Sequence, residues 1–296
     1  MQTRHAAFSN HRAHIFTPVG DTDPFMPTPE RPVRVRARTM PADTHFEPHR
    51  HAWAQLAYCA TGVLQVMCGS TTEHTASGAK PATGEITYIV PPSRAVWIAP
   101  GALHNIYMLE RAELRTLYID ASVIPPEWHS CRVIMVSPLL RELIHALDTP
   151  AKPDHAAQTR REASLTTLVC DEIAHADIQT LGVPLPPVQG GDKRLRGLCE
   201  AVLRAPAART NLADWAADVG ASERTMARLF RDELGTSYQQ WRQQAVLAHA
   251  LPMLARGLPV SQVAAASGYA SDSAFSAMFK AAMGQPPSQF TARPNA

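Results

Sequence analysis

Apolar and polar positions along the chain follow two rhythms, and the change between them falls near residue 137. "RPVRVRART" (31–39) sets Val33, Val35 and Ala37 against Arg34, Arg36 and Arg38, the two-residue period of a strand. The arginines are read as a solvated strand face in preference to a nucleic-acid patch. Between 53 and 120 come short β-compatible runs, "AQLAYCATGVLQVMC", "GEITYIVPP", "RAVWIAP", "HNIYML" and "ELRTLYI", separated by turn residues. Such spacing predicts an all-β sandwich or barrel. In one run, Leu64, Val66 and Cys68 alternate with Val63, Gln65 and Met67; both sets are largely apolar, which predicts a strand buried on two sides.

After "CRVIMVS" the period lengthens. "SPLLRELIHALDT" (137–149) starts with Ser then Pro, a cap and first-turn pair, and spaces Leu139, Leu140, Leu143, Ile144 and Leu147 as a helix does. A second helix is predicted over 156–176, with Leu165, Leu168, Val169 and Ile173 as its stripe. These helices pack under the β domain or join two subunits. "TLGVPLPPVQGGDK" (180–193) excludes a long regular element and marks a domain boundary. Residues 1–30, rich in His and Pro without a clean period, are expected to be a flexible arm.

Beyond 193 the chain reads as nearly all helix. Thr210 or Asn211 caps a short helix with Leu212, Trp215, Ala216 and Val219 inward, and Gly220 ends it. Ser222 caps the next, whose inward stripe is Met226, Leu229 and Phe230. Arg224, Thr225, Ala227 and Arg228 are left outward or sideways. Two short helices joined by a glycine turn make a helix-turn-helix, and its second helix fits a major groove about 12 Å wide. The layout then repeats: Val260, Val263 and Ala264 inward, Gly268, a cap at Ser271, and Phe275, Met278 and Phe279 inward. Gly220 and Gly268 lie 48 residues apart, with "SYQQWRQQAVLAHALPMLARG" as a connecting helix between the copies.

Charge sharpens this division. Residues 1–192 hold 16 Lys and Arg against 19 Asp and Glu, a net of −3, whereas residues 193–296 hold 12 against 7, a net of +5. The basic end favours a polyanionic partner. Five scattered cysteines without a CxxC pair give no disulfide framework, and no apolar run reaches membrane-spanning or signal length. A reducing cytoplasmic setting and no membrane partner are the expectation.

The paired helix-turn-helix, and above all "VAAASGYASDSAFSAMFKAAMGQPPSQF" (263–290), resembles the AraC/XylS family of transcriptional regulators. The resemblance implies DNA contacts at Arg224, Thr225, Ala227 and Arg228 in the first copy. In the second it implies Asp272, Ser273, Ser276, Ala277 and Lys280. Because Asp272 repels phosphate and Ala277 offers only a methyl group, the first copy is expected to supply more affinity. "HRHAWAQL", "VPPSRAVWIAPGALH" and "SPLLRELI" look like the subgroup typified by a nitroimidazole-efflux regulator.

"HFEPHRHAWAQL" places His49 and His51 two apart and Gln55 four further on, and "APGALH" supplies His104. This resembles the cupin motif pair, with Gln55 at the position of the usual glutamate. The four residues either hold a divalent transition ion (Zn, Ni, Fe or Mn) or hydrogen-bond around a small-molecule pocket. No cofactor is required on either reading. Trp53, Tyr58 and Trp97 are expected to line the barrel or its pocket.

The chain is therefore expected to have two domains, an N-terminal cupin-like jelly-roll β-barrel with following helices and a C-terminal all-α double helix-turn-helix. The segments are an arm (1–30), a sensor (31–136), a helical dimerisation segment (137–179), a linker (180–192) and a DNA-binding domain (193–296). The expected function is a homodimeric, effector-responsive regulator, an activator bound to a promoter operator and able to contact RNA polymerase, and not an enzyme. The alternative is a metal-dependent cupin enzyme with an appended DNA-binding module.

Overall fold

The computed structural model describes residues 16–20, 22–69, 85–148, 155–179, 181–187, 190–209 and 211–290. In chain order its strands are β1 (Phe16–Thr17), β2 (Val33–Met40), β3 (His45–Phe46), β4 (Ala54–Cys59), β5 (Leu64–Gly69), β6 (Glu85–Val90), β7 (Arg94–Ile98), β8 (His104–Met108), β9 (Ala112–Ile119), β10 (Arg132–Met135), β11 (Ile178–Gln179) and β12 (Gly182–Leu185). Two six-stranded sheets result, ordered β1-β3-β8-β5-β6-β12 and β11-β10-β7-β4-β9-β2. All pairings are antiparallel except β1 with β3.

Strand alternation decides which layer each residue joins. In β4, Ala57 and Cys59 face the core shared with Leu64, Val66 and Cys68 of the opposite sheet. Ala54, Leu56 and Tyr58 face the other way, with Ala95 and Trp97 of β7, toward two helices, α1 (Pro138–Asp148) and α2 (His155–Ala174). Both faces of β4 are therefore buried. In β5 the structure departs from expectation: Leu64, Val66 and Cys68 are buried, but Gln65 and Met67 are only half-buried. Trp97 and Tyr58 likewise do not line the barrel interior. They belong to the helix-facing layer, where Trp97 meets Trp128 edge-on with ring centroids 4.9 Å apart.

Three other readings change. The expected arm over 1–30 lies outside the described residues up to 15, but part of the remainder is tied down. β1 pairs with β3, Arg34 donates to the Pro24 carbonyl at 3.0 Å, and Arg38 donates to that of Val19 at 3.1 Å. Arg36 and Arg38 also lie over the rings of Phe25 and Phe46. The arginine face of β2 is thus only partly solvated; it clamps the preceding segment, and burial lowers the Arg38 pKa. The linker over 180–192 contains a paired strand, β12, which joins β6 despite Pro184. It sits at the edge of its sheet, where a proline's missing N–H is tolerated. Within the helix stripes, Leu139 and Leu168 are about half exposed instead of inward.

The C-terminal part holds α3 (Lys193–Arg204), α4 (Leu212–Asp218), α5 (Glu223–Leu234), α6 (Tyr238–Ala255), α7 (Val260–Ala266) and α8 (Asp272–Met283). The first helix pair, α3 and the start of α6 share a core with Val183 and Leu185 of β12. The second pair, with Phe275, Phe279 and Met283, joins Val246, Leu251 and the barrel residues in one continuous apolar cluster. The second helix-turn-helix is therefore docked on the barrel.

Candidate functional site: a DNA-reading face and a histidine cluster

Local capping explains both reading helices. Asn211 accepts from the Asp214 N–H at 2.8 Å to start α4; Thr210, the other candidate, lies outside the described residues. Gly220 turns the chain at φ 66°, in the left-handed region that penalises a Cβ. Ser222 then accepts from the Thr225 N–H at 3.1 Å and starts α5. In the second copy Gly268 turns at φ 80° and Ser271 accepts from the Ala274 N–H at 3.2 Å to start α8. Each cap satisfies an N–H that a helix end leaves open.

Burial separates the faces. Met226, Phe230, Phe275 and Phe279 are fully buried. Arg224 and Arg228 are exposed, and among the described residues neither side chain makes a hydrogen bond or ion pair. Thr225 and Ala227 are half-buried, and the Thr225 hydroxyl lies 2.9 Å from that of Ser222. In α8, Asp272, Ser273, Ala277 and Lys280 are exposed and Ser276 is half-buried. The first face thus offers two unengaged guanidinium forks; the second offers small groups, one acid and one lysine. Between them α6 spans 18 residues, about 27 Å at helical rise.

The histidines converge at one end of the barrel. His49 and His104 exchange main-chain hydrogen bonds of 2.9 and 3.0 Å, which sets their side chains on the same face. His51 follows two residues later, and the ligand atoms of all three lie within 4.8 Å of one another. Gln55, on the core-facing side of β4 with Ala57, places its Oε1 2.9 Å from His51 Nε2. Trp53 stacks on His51 at 5.1 Å and so walls the cluster. Burial lowers the His51 pKa and pushes His104 down to about 3, which keeps both rings neutral near pH 7. All four residues singled out from the sequence therefore meet.

One residue was not singled out. Arg94 begins the apolar run "RAVWI" and is 2 % exposed, bonded to Ser93, Met135 and the carbonyl of Met283. A lone cation opening a buried strand was the signal available for it.

Comparison with known proteins agrees with this architecture. A model of the AraC-like ligand binding domain matches residues 31–169, and one of a helix-turn-helix domain matches residues 215–293. The chain is 33 % identical over 256 residues to the HTH-type transcriptional regulator NimR of Escherichia coli K12, covering 84 % of this chain and 91 % of that protein. It is 32 % identical over 109 residues to the HTH-type transcriptional regulator RipA of Corynebacterium glutamicum, covering 37 % of this chain and 33 % of that one. Among solved structures, ToxT of Vibrio cholerae aligns over 88 % of this chain and 97 % of its own at 11 % identity and a TM-score of 0.34. A ligand-binding barrel followed by two capped helix-turn-helix units, with a regulator as full-length relative, places this chain in the AraC family of DNA-binding transcriptional regulators.

Proposed function

We propose that α5 and α8 enter successive major grooves of one operator, with Arg224 and Arg228 carrying most of the affinity. The observation behind this reading is the pair of capped helices that keep their arginine or small-residue faces free of the core. Arginine forks onto guanine O6 and N7 or grips phosphate, and α6 is a rod short enough to hold two helices within one turn, about 34 Å, of the duplex. Thr225, Ala227, Asp272, Ser273, Ser276, Ala277 and Lys280 complete the contact set.

The effector reading rests on a cavity of about 730 Å³ between the barrel and the helical domain. Tyr88, Cys131 and Arg132 line one side; Glu233, Gln240 and Trp241 line the other. A molecule held by both walls binds the docked and undocked arrangements with different affinity, which is what shifting their populations requires. The half-exposed Leu139 and Leu168 on α1 and α2 support a homodimer through these helices. A cytoplasmic activator that contacts RNA polymerase is the setting that goes with this role.

Selection of random duplexes on the full-length protein tests the reading. A single enriched motif is expected for the native chain, and none for R224A/R228A with the same circular dichroism. Enrichment of the same motif by that variant would reject the assignment.

A further inference from the structure

The chain has no CxxC pair, yet the fold brings two of its five cysteines together. Cys68 and Cys131 lie 63 positions apart in the chain, and both are free thiols. Cys68 sits on β5, 2 % exposed, with its side chain in the barrel core. Cys131 immediately precedes β10, is partly exposed, and packs against that same core. There the Cys68 S–H donates to the Cys131 sulfur. The main-chain N–H of Ala99 donates to the same atom. The Tyr88 hydroxyl donates to the Cys131 carbonyl at 2.9 Å and fixes the backbone of that residue.

These contacts give the two thiols opposite characters. The hydrogen bond from Cys68, helped by the Ala99 N–H and the Arg132 charge, holds the Cys131 pKa below its ordinary value against the effect of burial. Cys68, the donor in that bond, is pushed well up, and burial adds to the rise. Burial also raises Cys59 and Cys199, and it pushes Cys170 up to about 11. Cys131 is thus the one cysteine of the five whose surroundings favour the thiolate, the nucleophilic form. It also lines the cavity of about 730 Å³ between the barrel and the helical domain, beside Tyr88 and Arg132. A small molecule therefore reaches its sulfur, whereas Cys68 lies behind it on the core side.

We propose that Cys131 is a peroxide-reactive thiol and that Cys68 closes onto it as a disulfide. The Cys131 thiolate attacks one oxygen of hydrogen peroxide and the O–O bond breaks. A sulfenic acid forms, and the departing hydroxide takes up the proton that Cys131 released, giving water. Cys68 sulfur then attacks the Cys131 sulfur, the S–O bond breaks, and the hydroxyl leaves with the Cys68 proton as a second water. Two thiols lose two electrons, and one peroxide becomes two waters. A covalent S–S bond is shorter than a thiol–thiol hydrogen bond, so one partner must move. Cys68 is held by β6 on one side and β8 on the other, which leaves Cys131, outside the strand, to shift. Closure draws the cavity wall at Cys131 and Arg132 toward the barrel core. The pair is independent of the DNA-reading face and of what the cavity holds.

The test uses the reduced full-length protein, desalted, exposed to hydrogen peroxide, then unfolded and alkylated with iodoacetamide. Non-reducing digestion and mass spectrometry should find one Cys68–Cys131 cross-linked peptide within a chain, reversed by dithiothreitol, with Cys59, Cys170 and Cys199 alkylated. In the folded native chain, iodoacetamide should label Cys131 at least 10-fold faster than Cys170, which is also partly exposed but is only raised by burial. C68S should accumulate a sulfenic acid at Cys131 that dimedone captures, and C131S should keep Cys68 reduced. Peroxide treatment that leaves both thiols of the native chain open to alkylation would overturn the pair. So would equal labelling rates at Cys131 and Cys170, or oxidation of Cys68 in C131S as fast as in the native chain. A cross-link through Cys131 between two chains would reject Cys68 as its partner.

Discussion

The guanidinium of Arg94, at the start of a barrel strand, donates at 3.1 Å to the main-chain oxygen of Met283, the last residue of the second reading helix. The two residues lie 189 positions apart in the chain. A helix C-terminus carries unpaired carbonyls and partial negative charge, so a buried cation there is well placed. Through this bond the N-terminal domain holds one end of the second helix-turn-helix unit. Nearby, Arg256 of the helical domain lies 3.5 Å from Glu110 of the barrel and adds a second link.

Removing the Arg94 side chain should loosen that hold. R94A is expected to lower the unfolding free energy by about 2 kcal/mol, the scale of a hydrogen bond from a charged group. Amide exchange should rise at Gly284, whose N–H bonds to the Lys280 carbonyl at the same helix end. Exchange mass spectrometry of the full chain reads this directly; unchanged protection there would mean that Arg94 does not restrain α8.

Asp272 sits at the first turn of α8, exposed, where its charge favours the helix dipole but opposes phosphate. D272N should therefore cost only a few tenths of a kcal/mol in stability. It should raise affinity for non-operator duplex. Competition binding against heterologous DNA at fixed salt checks both signs, and weaker non-specific binding would contradict this role.

Leu168 projects half exposed from α2. If α1 and α2 join two copies, L168E should shift the protein toward monomer in sedimentation velocity without altering its circular dichroism. A native chain that sediments as a monomer would remove the dimer from the account.

Asp192 caps α3 by accepting from the N–H groups of Arg194 and Leu195. The Arg194 side chain and those N–H groups hold its pKa down to about 2. A carboxylate with a lowered folded pKa contributes stability above the unfolded value of about 4 and loses it as pH falls toward 2. The ion pair is at the surface and screened, so its charge is worth no more than a few tenths of a kcal/mol. D192A should cost about 1 kcal/mol at pH 7, mostly through the cap. D192N, which keeps an acceptor, should cost less and flatten the acid limb of the stability profile between those two values.

The helical half was legible because its signals are local. Asn211, Gly220, Ser222, Gly268 and Ser271 each act within four residues, and each caps or turns where its chemistry demands. The histidine cluster was legible for a different reason: His49 and His51 lie two residues apart just before β4, and Pro100–Gly101 announces the turn before His104. What escaped depends on distant partners. Arg34, Arg36 and Arg38 alternate like a solvated face, and only the fold shows that residues 19 and 24 supply carbonyls above them. Trp97 could face either side of its strand until α1 and α2 were known to cover one of them. Arg94 carries no local mark of its partner 189 residues away.

The most direct measurement of the central claim is guanine-N7 methylation interference on the selected operator. Two patches of major-groove interference, about 10 base pairs apart on one face of the duplex, are predicted for the native chain. R228A should lose the patch read by α5 and keep the other. A single patch, or two patches on opposite faces, would contradict the proposal that both helices read the same duplex together.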